Sequence, residues 1–244
     1  MISATRDSIS LREAGVVTIT QPKNGFRFTQ DSLLLADFCR IRPRDRVLEP
    51  GAGAGIISLL LAKKFPQAKL TAVELNPDAA ELCRRNIIDN DLDDRITVLE
   101  RDISDLKKPL LAQSFDVIVV NPPYTRSGSG RKSPLSGKQL ARHDEAADIK
   151  KWIDLQKLLK NRGRYFIVFP AGRTAELLSL MKACGLEPKR IRFVHPFTNK
   201  PAALCLIESV KSAGVGVEVV PPLIVHGDDG DCSAEMRKIY AADT

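Results

Sequence analysis

Nine consecutive segments between residues 45 and 185 repeat one pattern, a short run of β-branched residues followed by a longer amphipathic run. They read "DRVLEP", "IISLLLAKKF", "AKLTAVEL", "PDAAELCRRNIIDN", "RITVLERD", "FDVIVVN", "ADIKKWIDLQKLLK", "RYFIVFP" and "TAELLSLMKACG". Strands that alternate with helices long enough to cross back over a sheet form a parallel sheet covered on both faces. "KRIRFVHP" and "AALCLIESV" then follow with no helix between them, which predicts an antiparallel pair at the far edge. The expectation is an α/β fold with a seven-stranded, mostly parallel sheet and an antiparallel edge.

Upstream, "VVTITQPKNGFRFTQ" alternates polar and β-branched residues around the turn dipeptide Asn24-Gly25, predicting a short N-terminal hairpin. "DSLLLADFCR" has apolar positions at helical spacing and ends before Pro43, predicting a helix over 31–40. The chain thus divides into an N-terminal segment and hairpin, 1–30, and a single domain with a C-terminal extension, 31–244.

Composition excludes several classes. With 43% hydrophobic residues and dispersed Gly and Pro, the chain is neither disordered nor fibrous. No apolar run reaches the roughly 18 residues of a membrane span, and "MISATRDSISLREAG" lacks the apolar core of a signal peptide. A cytoplasmic protein with no membrane partner is expected. Five cysteines and three histidines are scattered without a paired spacing, so disulfides and a metal site are not expected. Cationic residues exceed anionic ones by 37 − 30 = 7, which favours polyanions. Five of them, Arg126, Arg131, Lys132, Lys138 and Arg142, fall between Pro122 and His143 without a carboxylate, in a Gly- and Ser-rich loop suited to phosphates. A second basic stretch holds Lys182, Lys189, Arg190, Arg192 and Lys200 against Glu187.

"VLEPGAGAG" sets Gly51, Gly53 and Gly55 between a strand and a helix, where missing Cβ atoms let a ligand approach the backbone. The spacing is GxGxG rather than the GxGxxG of dinucleotide sites, and Glu49 stands beside it. A carboxylate would repel a pyrophosphate but attract the cationic amino group and sulfonium of S-adenosylmethionine (AdoMet). "TAVELNP" ends in Glu74, where a carboxylate can take both ribose hydroxyls, with Leu75 next to it. "ITVLERD" ends in Asp102, placed to accept from the adenine amino group while Ile103 covers the ring. The ordered set resembles the Rossmann-like class I methyltransferases over roughly residues 25–210.

A fourth strand, "FDVIVV", delivers "NPPY" to the sheet edge where ligands sit in open α/β folds. The prolines fix the turn, and the Asn121 side-chain oxygen and Pro122 carbonyl can accept the two hydrogens of a planar amine. Pro123 completes the turn on the substrate side, and Tyr124 offers a face for a flat base. The motif resembles the [D/N]PP[Y/F] signature of methyltransferases that act on exocyclic or amide nitrogen. Adenine N6, guanine N2 and glutamine N5 enzymes share it, and a binding-only module that has lost turnover is a further reading.

Flanking segments narrow the choice. "NGFRFTQDSLLLADF", "ARHDEA" and "PPLIVHGDDGDCSAEMRKIY" resemble the bacterial family that methylates N6 of an adenine in the anticodon loop of a valine tRNA, from about residue 23 to 240. That resemblance implies tRNA as partner, places Phe28 and Asp31 at the cofactor, and gives Arg142 a part in positioning the loop after "NPPY". Glutamine N5 enzymes resemble chains with an added helical domain, for which the roughly 45 residues before the first cofactor strand are too few.

Overall fold

The computed structural model describes residues 4–11, 14–22, 28–107, 113–123 and 149–240. A two-stranded hairpin, β1 (Ala4–Leu11) and β2 (Gly15–Pro22), precedes helix α1 (Gln30–Phe38). Next come β3 (Arg46–Pro50), α2 (Ile56–Lys64), β4 (Lys69–Glu74), α3 (Pro77–Asp89), β5 (Ile96–Glu100) and β6 (Phe115–Val120). After a helical run at 149–158 follow β7 (Leu159–Pro170), α4 (Thr174–Ala183), β8 (Leu186–His195), β9 (Leu204–Lys211), β10 (Glu218–Ile224) and α5 (Ala234–Ile239).

The central strands are apolar on both faces because helices cover both sides of the sheet. The sheet order is β10-β8-β9-β7-β6-β3-β4-β5. Strand order reverses between β3 and β6, and that crevice is where ligands bind in folds of this kind. One face packs α1, α2, α3, β2 and α5 into a core containing Ile19, Leu35, Leu59, Leu60 and Met236. The opposite face packs Trp152, Ile153, Leu155, Leu177 and Met181 against Leu48, Ile118 and Tyr165.

Two expectations change, and the antiparallel pairing of the segments that form β8 and β9 is borne out. The sheet has eight strands rather than seven, because part of the tail forms β10, parallel to β8. Its register shifts between Val220 and Leu223, where Pro221 and Pro222 have no backbone N–H to donate. The antiparallel strand, β9, lies between β7 and β8 and is not itself the edge. The hairpin is present, but β2 pairs upstream with β1, from Ala4↔Pro22 to Leu11↔Gly15, around a turn completed by Gly15 at φ 66°. Asn24 and Gly25 lie outside the described residues.

Among the described residues, the outer edge of β2 meets no third strand. Asn86 on α3 and Asn90, the residue that caps its C-terminal end one turn on, face it with their carboxamides. Thr18 and Thr20 donate backbone N–H groups to Asn90 Oδ1 (3.0 Å) and Asn86 Oδ1 (2.7 Å), and their carbonyls accept from Asn90 Nδ2 (2.6 Å) and Asn86 Nδ2 (2.8 Å). Two side-chain amides thus satisfy a strand edge that would otherwise be an orphan.

Candidate active site

The turn after β3 is held from below. Gly51 and Ala52 donate their N–H groups to the Val73 carbonyl at the end of β4, at 2.7 and 2.9 Å. Gly51, Gly53 and Gly55 all have positive φ, 70°, 56° and 90°. At Gly51 a Cβ would lie 2.7 Å from Cη2 of Trp152, so the indole forms a wall against the turn. Among the described residues a Cβ on Gly53 would meet no atom within 4 Å, so open space lies above it. One glycine is needed for the protein's own packing, the other faces room for a ligand.

Glu49 is 2% exposed, beneath the turn. Its Oε2 accepts from the Ser58 backbone N–H at 2.8 Å and from the Ser58 hydroxyl in the first turns of α2. Desolvation raises its pKa to about 8, against the opposing effect of those two bonds. Glu74, half-buried at the end of β4, accepts from Gly53 N–H through Oε2 and from Asn76 N–H through Oε1, both at 2.8 Å. It therefore bridges the glycine turn and the start of α3. Leu75 beside it is 62% exposed, an uncovered apolar side chain next to the cradle.

Asp102 follows β5, and its Oδ1 accepts from the Ser104 N–H at 2.7 Å. Bonds from the Ser104 backbone and hydroxyl hold this carboxyl below the usual carboxylate range. Ile103 is partly buried against the face that carries Trp152. Asn121 follows β6, half-buried, and its Nδ2 donates to the Ser32 hydroxyl of α1 at 3.0 Å. Pro122 is buried and Pro123 exposed. Asp31 lies in the first turn of α1, and Phe28 packs against the core just before it. Parallel β3, β4, β5 and β6 bring Glu49, Glu74, Asp102 and Asn121 to one sheet edge. Tyr124, Arg126, Arg131, Lys132, Lys138 and Arg142 lie outside the described residues.

The second basic stretch serves the fold instead of forming a free cationic patch. Arg190 is buried, 2.7 Å from Glu208, with its guanidinium 4.0 Å from the Phe38 ring centroid and a further bond to the Phe38 carbonyl. Arg192 pairs with Glu235, Lys182 with Glu187 at 3.4 Å, and Lys189 donates to the Gly214 carbonyl. Glu208 and Glu235, the partners of Arg190 and Arg192, stand on other elements, so a count along the stretch misses that neutralisation. The cysteines are all free thiols, and burial raises the pKa values of Cys39 and Cys83.

Sequence reasoning overlooked Ser32, Trp152 and Asn86. Ser32 is the lone hydroxyl in an otherwise apolar stretch of "DSLLLADF", and Trp152 is the only Trp of the chain. Asn86 and Asn90 share helical i,i+4 spacing in "NIIDN". Each pattern was visible, but its partner was not.

Comparison with known proteins decides the family. Residues 27–138 match the methyltransferase small domain. The tRNA1(Val) (adenine(37)-N6)-methyltransferase of Porphyromonas gingivalis, strain ATCC 33277, is 31% identical over 231 residues, covering 91% of this chain and 89% of that one. The chain belongs to this family. The Vibrio campbellii member is 26% identical over 222 residues, covering 89% and 90% of the two chains. Among solved structures, a predicted O-methyltransferase of Agrobacterium tumefaciens superposes with a TM-score of 0.70 at 22% identity, covering 87% of this chain and 96% of that one. P. horikoshii TYW2 in complex with MeSAdo superposes with a TM-score of 0.59 at 16% identity, covering 87% and 73%. Both share the Rossmann-like methyltransferase fold. As a member of the family, the protein is an AdoMet-dependent methyltransferase. The residues present fit that cofactor, with open space above Gly53 among the described residues, the Glu74 carboxylate bonded to that same glycine, and the Asp102 carboxyl just past the end of the neighbouring strand β5.

Proposed function

We propose that this enzyme methylates N6 of adenine 37 in a valine tRNA, the reaction named for its relatives. The observation that carries the reading is the placement of Asn121 on the same sheet edge as the glycine turn, Glu74 and Asp102, with its amide NH₂ turned into α1. That orientation leaves Oδ1 for a substrate amine.

Glu74 takes the ribose hydroxyls, Asp102 the adenine amino group, and Leu75 and Ile103 supply apolar cover. Phe28, just before α1, and Asp31, in its first turn, would border the cofactor. AdoMet, when bound, supplies a methyl carbon on a positively charged sulfur, which leaves with the C–S bonding pair. Asn121 Oδ1 and the Pro122 carbonyl accept the two N6 hydrogens and aim the nitrogen, which forms the new C–N bond and loses one proton to water. Holding the amine in this way can remove several kcal/mol from the barrier without a general base. The same acceptors stabilise the positive charge that grows on nitrogen. Tyr124 stacks on the adenine, which must leave its stack to reach the site. The cationic loop carrying Arg126, Arg131, Lys132, Lys138 and Arg142 orients the tRNA through its phosphates. The enzyme acts in the cytoplasm.

The experiment is transfer of radiolabelled methyl from AdoMet into total RNA and total protein of a strain lacking the gene, followed by nucleoside analysis. N6-methyladenosine in valine tRNA is expected. Label in N2-methylguanosine or in protein overturns the substrate and retains the catalytic motif.

A further inference from the structure

We infer that Ser32 is the positioning residue that determines which end of the Asn121 carboxamide faces the substrate amine; this rests on the role proposed for Asn121. A carboxamide has two chemically opposite ends, and half a turn about its last torsion exchanges an acceptor for two donors. With Oδ1 outward, Asn121 accepts an amine hydrogen. With NH₂ outward, two donor groups meet, and the amine loses one of the contacts that aim it.

The structure holds the first arrangement. Ser32 Oγ lies 3.0 Å from Asn121 Nδ2, and Ser32 is 4% exposed, so water competes little for the bond. The hydroxyl belongs to a well-anchored element, since Leu33, Leu34, Leu35, Ala36 and Phe38 of α1 are all buried. The Ser32 backbone N–H donates to the Thr29 carbonyl at 3.1 Å, which fixes the first turn. A helical serine can send its own hydrogen to a carbonyl three or four residues back, leaving its lone pairs to accept from Nδ2. Asn121 follows the last residue of β6, so a sheet strand and a helix 89 positions away in sequence fix the amide between them.

The test measures kcat, KM for tRNA and AdoMet affinity in Ser32→Ala, in Ser32→Cys, and in Ser32→Ala combined with Asn121→Asp. Cysteine keeps the branching of serine with a slightly larger atom that accepts hydrogen bonds poorly, so with alanine on the other side of serine in size the pair separates lost bonding from lost packing. Both single variants are expected to lower kcat about five- to tenfold, the scale of one hydrogen bond, with AdoMet affinity and thermal midpoint near those of the parent. Aspartate presents an acceptor at either oxygen and has no orientation to choose, so Ser32→Ala costs about twofold or less on that background. A parental kcat in Ser32→Cys, or equal fold losses on the Asn and Asp backgrounds, overturns the inference. Asn121→Ala separates the two levels. If it loses at least about tenfold in kcat while Ser32→Ala loses nothing, only the role of Ser32 fails. If Asn121→Ala itself turns over at the parental rate, the catalytic reading fails as well.

Discussion

Asn86 and Thr20 exchange two hydrogen bonds, with Thr20 N–H donating to Oδ1 and Nδ2 donating back to the Thr20 carbonyl, at 2.7 and 2.8 Å. Asn86 Nδ2 also donates to the Ala54 carbonyl at 2.9 Å, within the glycine turn. One buried carboxamide therefore ties the N-terminal hairpin to the cofactor cradle. Asn86→Ala would leave three backbone polar groups without this partner, at roughly 1 to 3 kcal/mol for each one left buried and unpaired. We expect a loss of about 2 to 4 kcal/mol by urea unfolding, allowing for water reaching some of them. Asn90→Ala also removes three bonds, from the Thr18 N–H and to the Thr18 and Asn86 carbonyls, so a similar loss of stability is expected, with AdoMet affinity nearer that of the parent because Asn90 does not reach the glycine turn. Equal losses in AdoMet affinity for the two variants would show that the tie to Ala54 is irrelevant to the cradle.

Gly51 and Gly53 are two residues apart and predict different defects. Gly51→Ala forces a Cβ to within 2.7 Å of the Trp152 ring at φ 70°, so the expected effect is destabilisation of about 2 to 3 kcal/mol. Gly53→Ala meets no atom of the described residues within 4 Å and costs about 1 kcal/mol of backbone strain, but its methyl projects into the ligand space. AdoMet affinity is expected to fall about tenfold or more in Gly53→Ala. Calorimetric binding and thermal melting of both variants check this, and intact binding by Gly53→Ala would move the cofactor off that face of the turn.

Burial of Glu49 predicts a pH dependence. Its pKa rises from an ordinary 4.5 to about 8 on folding, so the folded chain holds the proton more tightly than the unfolded one. The resulting stabilisation is full below about pH 4.5 and is lost as pH rises to about 8. Glu49→Gln keeps the shape and removes the titration. The ratio of variant to parent stability should therefore increase from pH 5 to pH 8.5 in denaturant melts. A difference that stays constant across this range would mean that Glu49 ionises normally in the folded state.

The loop cations predict a salt effect. Replacing Arg131, Lys132 and Lys138 together by Gln is expected to weaken tRNA binding and to flatten the log–log salt slope by about two to three, close to one per lost phosphate contact. Methyl transfer at saturating tRNA should change much less than binding. An unchanged slope in a filter-binding titration would show that these side chains face solvent in the complex.

The alternating sheet, the glycine turn, the acidic strand ends and "NPPY" were legible in the amino-acid sequence because each follows from local rules. Period-2 and helical hydrophobicity, glycine where φ is positive, and a motif directly after a strand need no knowledge of distant residues. Which residues meet across the fold was decided only by the tertiary structure. The proline-containing tail became an eighth strand because β8 presented an edge to it, and β2 paired with β1 and with the carboxamides of Asn86 and Asn90. Arg190 and Arg192 read as a basic surface until Glu208 and Glu235 arrived from other elements to pair with them. Ser32 stands beside Asp31 at the start of α1, and only the folded sheet brought Asn121 against it. A hydrogen bond or ion pair depends on a few ångströms of geometry between residues far apart in the chain, and only the packed core brings them that close.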